Sequence, residues 1–315
     1  VTLKKTELPW LYETSKDVPE SALGNLDRAY ANFFHRCKSK AKKKGFPKFK
    51  SRKNGIGSFT LRGVIRATDC AVKLPRIGIV RLKEHGYLPV GIEIKSATIS
   101  EQAGHWFVSV LTHETPVRSK GSEILGVDVG IKNLATLSDG TVFPNPRALK
   151  AATSRVRRAQ KAVSRRVKGS HNRKKAVAKL AILHYKVDCI RRDAIHKATT
   201  TITKRSAALG IESLNVSGMM KNHKLARSLA DASMSEFLRQ IEYKMGWSGG
   251  VVVKADRFYP SSKTCSTCGY VFKDMNLSVR MWTCPACRQF HDRDVNAAIN
   301  LQHLAAGSAA TACRL

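Results

Sequence analysis

Two kinds of residue in this chain have the type and spacing to do chemistry: paired cysteines, and acids set in apolar surroundings. Cys265-Ser-Thr-Cys268 is followed, after fifteen residues, by Cys284-Pro-Ala-Cys287. Two C-x2-C knuckles at that separation let four thiolates converge tetrahedrally on Zn²⁺. Gly269 supplies the tight turn after the first knuckle, and Trp282 can cover the site. Four thiolates close the coordination shell, so such a zinc is structural. A redox C-x-x-C is the competing reading, but redox motifs do not come doubled at this spacing.

Asp128 lies within the apolar stretch GVDVG, where an acid without a function is costly to bury. Glu212 follows Gly210-Ile211 at the end of another apolar run, and Asp294 opens DVNAAINL, where its charge suits a helix dipole. Singly, each has a plain structural explanation: a buried ion pair, an exposed strand end, a helix N-terminal charge. Together, two strand carboxylates and one helix carboxylate can hold two Mg²⁺ (or Mn²⁺) ions, hard cations that take oxygen ligands. A metal pair of that kind activates water and stabilises the leaving oxygen of a phosphodiester.

Composition points to the same substrate class. The 315 residues carry 56 Lys+Arg against 23 Asp+Glu, a net charge of +33 and a pI near 10.2. An excess of that size repels itself unless an anion neutralises it, and nucleic acid does so with release of condensed counterions. A polybasic membrane-surface protein would need an amphipathic apolar face or a lipidation signal, and neither is found. No run reaches the length of a membrane-spanning helix and no signal-peptide pattern opens the chain, so a cytoplasmic protein is expected. Cys37, Cys70, Cys189 and Cys313 are scattered singly, as reduced thiols in such a compartment would be.

The elements that must position these residues follow from periodicity. Residues 1–35 read as helical, with Val18, Ala22, Leu26, Ala29, Tyr30 and Phe33 near helical spacing. Trp10 and Tyr12 are expected to pack in a core. Residues 36–53 hold ten Lys/Arg and no acid, with Phe46, Pro47 and Phe49 interleaved to anchor a basic loop on a phosphate backbone. Short alternating runs over 56–114 predict a small antiparallel barrel, and Pro116 to Gly121 a linker. The strands ILGVDVG and NLATLSDG come next, then long helices over 147–205 turning near Gly169–Asn172. That segment has 19 Lys/Arg against Asp188 and Asp193, an imbalance suited to a nucleic-acid-facing surface. A strand (AALGIESLNV), a helix around 231–246, a strand (GGVVVKADRFY), the cysteine region and a helix from Asp294 complete an α/β domain over 123–306.

In order, GVDVGIKNLATL, IESLNVSGM, FYPSSKTCSTCGY and WTCPACRQFHDRDVNAAINL resemble the TnpB family, RNA-guided nucleases of insertion sequences related to type V CRISPR effectors. LPWLYETSKDVPESALGNLDRAYANFF and KKGFPKFKSRK are similar to it as well, so the resemblance covers nearly the whole chain. It implies a mixed α/β and β multidomain fold: a helical recognition segment (1–45), a wedge-like β-barrel (46–120), an RNase H-like (RuvC) nuclease domain (121–261) bearing the basic hairpin, an inserted zinc ribbon (262–290), and a RuvC-like C-terminal helix and tail (291–315). It implies Asp128, Glu212 and Asp294 as catalytic metal ligands, the last being the acid two positions before Asn-Ala-Ala rather than Asp292. It further implies guide RNA and double-stranded target DNA as partners, in a prokaryotic cytoplasm at the nucleoid. Relatives usually begin several dozen residues earlier, so a late start or a shortened member is expected. Arg257, Ser261, Ser262 and Lys263 either touch the cleaved strand or serve as ordinary capping and surface residues. A guided repressor that does not cut is a rival, as is a transposase joining DNA ends; loss of one of the acids would mark the first, and strand transfer the second.

Overall fold

The computed structural model describes residues 6–39, 43–48, 57–88, 90–113, 119–276 and 278–312. The chain divides into two units, 1–115 and 116–315.

In the first unit, a 3-10 turn (Pro9–Tyr12) precedes helix α1 (Asp17–Lys38). The helix therefore starts well after the point expected from periodicity. Asp17 sets its entry, since its carboxylate accepts from the Ser15 hydroxyl and from the backbone N–H of Arg62 at 3.0 Å. Tyr12 is 48% exposed and not a core residue, and Leu26 is 50% exposed on the helix. Phe46 packs edge-on against Tyr30 and Phe33, which anchors part of the basic segment to α1; Phe49 lies outside the described residues. The strands form two three-stranded sheets: β1 (Ser58–Arg62), β5 (Ile94–Gln102) and β6 (His105–Thr112) in one, and β2 (Arg66–Ala67), β3 (Ala71–Leu74) and β4 (Gly78–Arg81) in the other. Both are antiparallel and share a core of Leu61, Ile65, Val72, Leu74, Ile94, Ala97 and Ile99. Among the described residues this is not one closed barrel. Strand β4 is exposed at every position, and so has no buried face on which closure would form.

The second unit is built on a five-stranded sheet of order β11-β10-β7-β8-β9. Strands β7 (Glu123–Asp128), β8 (Asn133–Leu137) and β9 (Val142–Pro144) form an antiparallel meander. Strands β10 (Ser206–Ile211) and β11 (Val251–Lys254) then add in parallel beside β7. Parallel strands are buried on both faces, and so need helices on both. On one face Leu125, Val127, Leu209 and Ile211 pack with Ile195, Ala198 and Ile202 of α3 (His171–Arg205) and Phe237, Ile241 and Met245 of α6 (Met234–Trp247). Successive strand residues point to opposite faces, so Gly126 and Gly210 face the other side, where α7 (Arg293–Ala312) lies.

Helices α2 (Ala148–Ser164) and α3 form the basic hairpin. Its seam is thin: Ala148, Ala152 and Val156 recur every four residues and meet Val187, Leu180 and Leu183. Its base is held by Asp231, 5% exposed, at the end of α5 (Ala226–Ala232), which follows the short α4 (Val216–Met219). Asp231 accepts from the N–H groups of Leu149 and Lys150 in the first turn of α2 and pairs with Arg191 of α3 at 2.8 Å. One carboxylate thus caps one helix and neutralises a cation on the next.

The sheet–α7 contact is backbone to backbone. A Cβ on Gly126 would run into the carbonyl oxygen of Ala298, and one on Gly210 into that of Leu301. Gly210→Ala should therefore destabilise the fold by about 2–4 kcal/mol, because the helix must shift off the sheet. Gly246→Ala, where a Cβ in α6 meets nothing within 4 Å, should stabilise it by about 0.5–1 kcal/mol. Urea unfolding of the two variants checks the contrast; equal effects would refute a steric role for Gly210.

Candidate active site

Asp128 ends β7, and Glu212 directly follows β10. The strands are parallel with Val127 opposite Ile211, so the two acids stand side by side at the C-terminal edge of the sheet. Ligand sites of open α/β sheets form at that edge. Each acid comes two residues after a glycine that α7 presses on (Gly126-Val-Asp128, Gly210-Ile-Glu212) and so shares its face. Asp294 lies in the first turn of α7, one turn before Ala298, and thus at the end of the helix nearest that edge.

Glu212 and Asp294 both act on Asp128 electrostatically. Burial first, and then the charges of Glu212 and Asp294, push the Asp128 carboxyl from the ordinary 3.8 up to about 8, against the pull of Arg293 and Arg280. Arg280 reaches Asp294 at 3.5 Å. Asp292 instead caps α7, since its carboxylate accepts from the N–H groups of Asp294 and Val295 at 2.9 and 3.0 Å. Asp294 is among the charges that act on Asp128. Two strand-end acids and one helix acid thus lie within electrostatic reach of one another at this edge, with burial and then like charge raising Asp128; oxygen donors of this kind are what a hard divalent cation takes.

The four ribbon sulfurs lie within 4.8 Å of one another, and among the described residues they are the group close enough to share one ion. The knuckles repeat each other. Gly269 N–H donates to the Cys265 carbonyl and Arg288 N–H to that of Cys284, both at 2.9 Å. The Cys265 and Cys284 N–H groups close the turns onto Tyr270 and Gln289. Both positions after the knuckles are left-handed, φ 77° at Gly269 and 60° at Arg288, so the second turn holds a strained non-glycine residue. Cys265 and Cys284 are buried with Met275 and Trp282, while Cys268 and Cys287 are exposed. Sequence reasoning missed His291, whose Nε2 lies 3.1 Å from Cys265 Sγ and whose ring lies tilted against Trp282, centroids 4.9 Å apart. It sits in the hairpin of β12 (Met281–Thr283) and β13 (Phe290–Asp292), directly opposite Trp282.

The residues before the first knuckle divide. Ser261 is buried and donates to Glu212. Ser262 accepts from Arg293 at 3.5 Å, Lys263 Nζ donates to the Lys273 carbonyl, and the Arg257 guanidinium lies over the exposed Phe258 ring. The missed link is a pair of buried asparagines on α7. Asn296 donates to the Thr264 carbonyl and accepts from Ser266 N–H, and Asn300 donates to the carbonyls of Ser261 and Thr264. Their spacing of four on a helix is the signal that marks one face.

A carboxyl raised in the folded state adds stability that is full below its unfolded value and is lost as pH rises through the folded one. Asp128→Asn should match the parent near pH 4 in chelator and exceed it by about 1–3 kcal/mol near pH 8. Mg²⁺ should narrow that gap by stabilising the parent alone. Melting curves across pH check this, and a variant no more stable than the parent at pH 8 would rule out a carboxyl raised by burial and like charge at Asp128.

The family model described as a probable transposase matches residues 107–223, and that of the Cas12f1-like TNB domain matches 235–301. A putative RNA-guided DNA endonuclease of Streptomyces pristinaespiralis is 41% identical over 98% of this chain and 76% of its own length. The putative RNA-guided DNA endonuclease InsQ of Escherichia coli K12 is 35% identical, over 98% of this chain and 78% of its own. A Cas12f1–sgRNA–target DNA complex is similar at 17% identity and a TM-score of 0.42, over 88% of this chain and 77% of that one. With two relatives above 30% identity, each matched over more than two thirds of its length, the chain belongs to the TnpB family.

Proposed function

We propose that this protein is an RNA-guided DNA endonuclease of a transposable element, acting in the cytoplasm on nucleoid DNA and cleaving phosphodiester bonds at Asp128, Glu212 and Asp294. The observation that carries this is the placing of Asp128 and Glu212 side by side at the sheet edge, within electrostatic reach of Asp294, where burial and then the two neighbouring charges raise Asp128. The strand order, an antiparallel meander with two parallel strands added beside its first, supports an RNase H-like (RuvC) domain over 121–261 and 291–315. The relatives' names support the guide RNA and DNA target. The exposed cations of α2 and α3 suit a duplex held by its backbone. Residues 1–45 and 46–120 are proposed as recognition segment and wedge.

Asp128 and Glu212 would hold the ions from adjacent strand ends, and Asp294 would close the site from the helix. When bound, a pair of Mg²⁺ (or Mn²⁺) ions supplies activation of water and neutralisation of charge at the leaving oxygen. The chain's own part is to fix the three carboxylates and to bring in the substrate backbone on basic surfaces. Cys265, Cys268, Cys284 and Cys287 would hold a structural zinc at 262–290, since four converging sulfurs leave no open position. All three acids are present, which supports cleavage over guided binding alone.

Asp128→Ala should abolish Mg²⁺-dependent cleavage of guide-complementary DNA, a loss of about a thousandfold or more, while co-purifying RNA is retained. Cleavage equal to the parent's would sink the assignment, and absence of bound RNA in both would undo the guided part alone. The purified chain should carry about one zinc per molecule, and Cys284→Ser none, with a melting temperature several degrees lower. A variant that keeps its zinc would show that the four thiols do not form one site.

A further inference from the structure

Glu212 is held by a residue outside the three-acid set. We infer that Ser261 is a positioning residue that orients the Glu212 carboxylate for metal binding, and that Asn300 holds Ser261 in place; this rests on the proposed role of Glu212 as a metal ligand. Ser261 is 3% exposed, and its Oγ donates to Glu212 Oε1 at 2.5 Å, across 49 positions of sequence. That lies at the short end of the hydroxyl-to-carboxyl range. A serine hydroxyl has one proton to donate. With it on Oε1, the other carboxylate oxygen is free to meet a cation.

The serine is itself fixed on its backbone. Its N–H donates to the Tyr259 carbonyl at 2.9 Å, and its own carbonyl accepts from Asn300 Nδ2 at 2.8 Å. Asn300, 4% exposed, directs its other amide proton to the Thr264 carbonyl at 2.7 Å. Both protons of one amide thus clamp the 261–264 turn to α7. The helix that carries Asp294 thereby sets a second acid of the centre through one intermediary. Without Ser261, Glu212 regains rotamers on three side-chain torsions, and ordering them again must be offset by the metal. Partners that orient a ligand typically contribute about 10–100-fold to metal affinity or activity.

The test uses the full chain loaded with zinc, with Mn²⁺ as the probe followed by electron paramagnetic resonance. Ser261→Ala should weaken Mn²⁺ binding about tenfold or more and raise by a like factor the Mg²⁺ needed for half-maximal cleavage. Zinc content should stay at the parent's value and the melting temperature should fall by only a few degrees, the cost of one buried hydrogen bond, which separates orientation from a wider structural role. Ser261→Thr, which keeps the hydroxyl, should restore Mn²⁺ affinity. Unchanged Mn²⁺ affinity in Ser261→Ala, or a folded Ser261→Thr that binds as weakly as the alanine variant, would overturn the inference. Glu212→Gln separates this from the larger proposal. If it loses cleavage and Mn²⁺ binding while Ser261→Ala loses neither, only the role of Ser261 falls. If Glu212→Gln itself keeps both, the metal-ligand role of Glu212 falls as well.

Discussion

The close approach of α7 to the sheet at Gly126 and Gly210 is the constraint on which the rest of the second unit depends. A helix usually rides on a sheet at side-chain distance, separated by a layer of interdigitating residues. Here the layer is missing at two points, and helix carbonyls sit directly over strand backbone. The missing side chains bring Asp294 down to the level of the strand ends. Gln302 then donates to the Ile124 carbonyl at 2.8 Å and fixes the helix along its axis. Asp128 and Glu212 follow their glycines by two residues, so strand alternation alone puts them on the face that the helix covers.

Gathering acids this way works against folding. The burial and like charge that raise Asp128 are a cost to the fold, and packing elsewhere offsets it: Leu209, Ile202, Phe237, Ile241 and Met245 are fully buried on the opposite face. The asparagines of α7 meet a second demand. A small ribbon with four buried hydrophobic residues, two of them cysteines of the knuckles, has little core of its own. Asn296 and Asn300 fasten it to the helix through backbone carbonyls and an N–H. Positions of ribbon and third acid are thereby coupled, although no ribbon cysteine takes part in the proposed hydrolysis.

The basic hairpin shows the opposite balance. Its own acids are used locally, Asp188 with Arg192 and Asp193 with Lys197, each one helical turn on at 2.9 and 2.8 Å. Exposed pairs of this kind contribute little to stability. The buried Asp231 does more, since it caps α2 and meets Arg191 in one place. A helix pair with so thin a seam is held at its base and presents its charge outward, a form suited to a polyanion.

Much of this architecture was legible in the chain alone, for a local reason. Ligand spacing in the knuckles, the apolar setting of Asp128, the run of Lys and Arg and the order of strands and helices act over short stretches, so residue type and periodicity declare them. The Gly-x-acid pattern at 126–128 and 210–212 was also in plain view, but its meaning required knowing which helix lies on those glycines. Asp292 and Asp294 are alike in type, and only the resemblance preferred Asp294; the capping bonds that Asp292 makes are seen in the folded chain alone. Periodicity extended α1 too far forward and suggested a barrel, because alternation shows that strands exist but not which edges pair. Ser261 read equally well as a surface serine, since its bond to Glu212 spans 49 positions. The sequence by itself determined the chemical inventory and the succession of elements. Tertiary structure decided which acids share a face and what holds them, because those contacts join residues that no local rule relates.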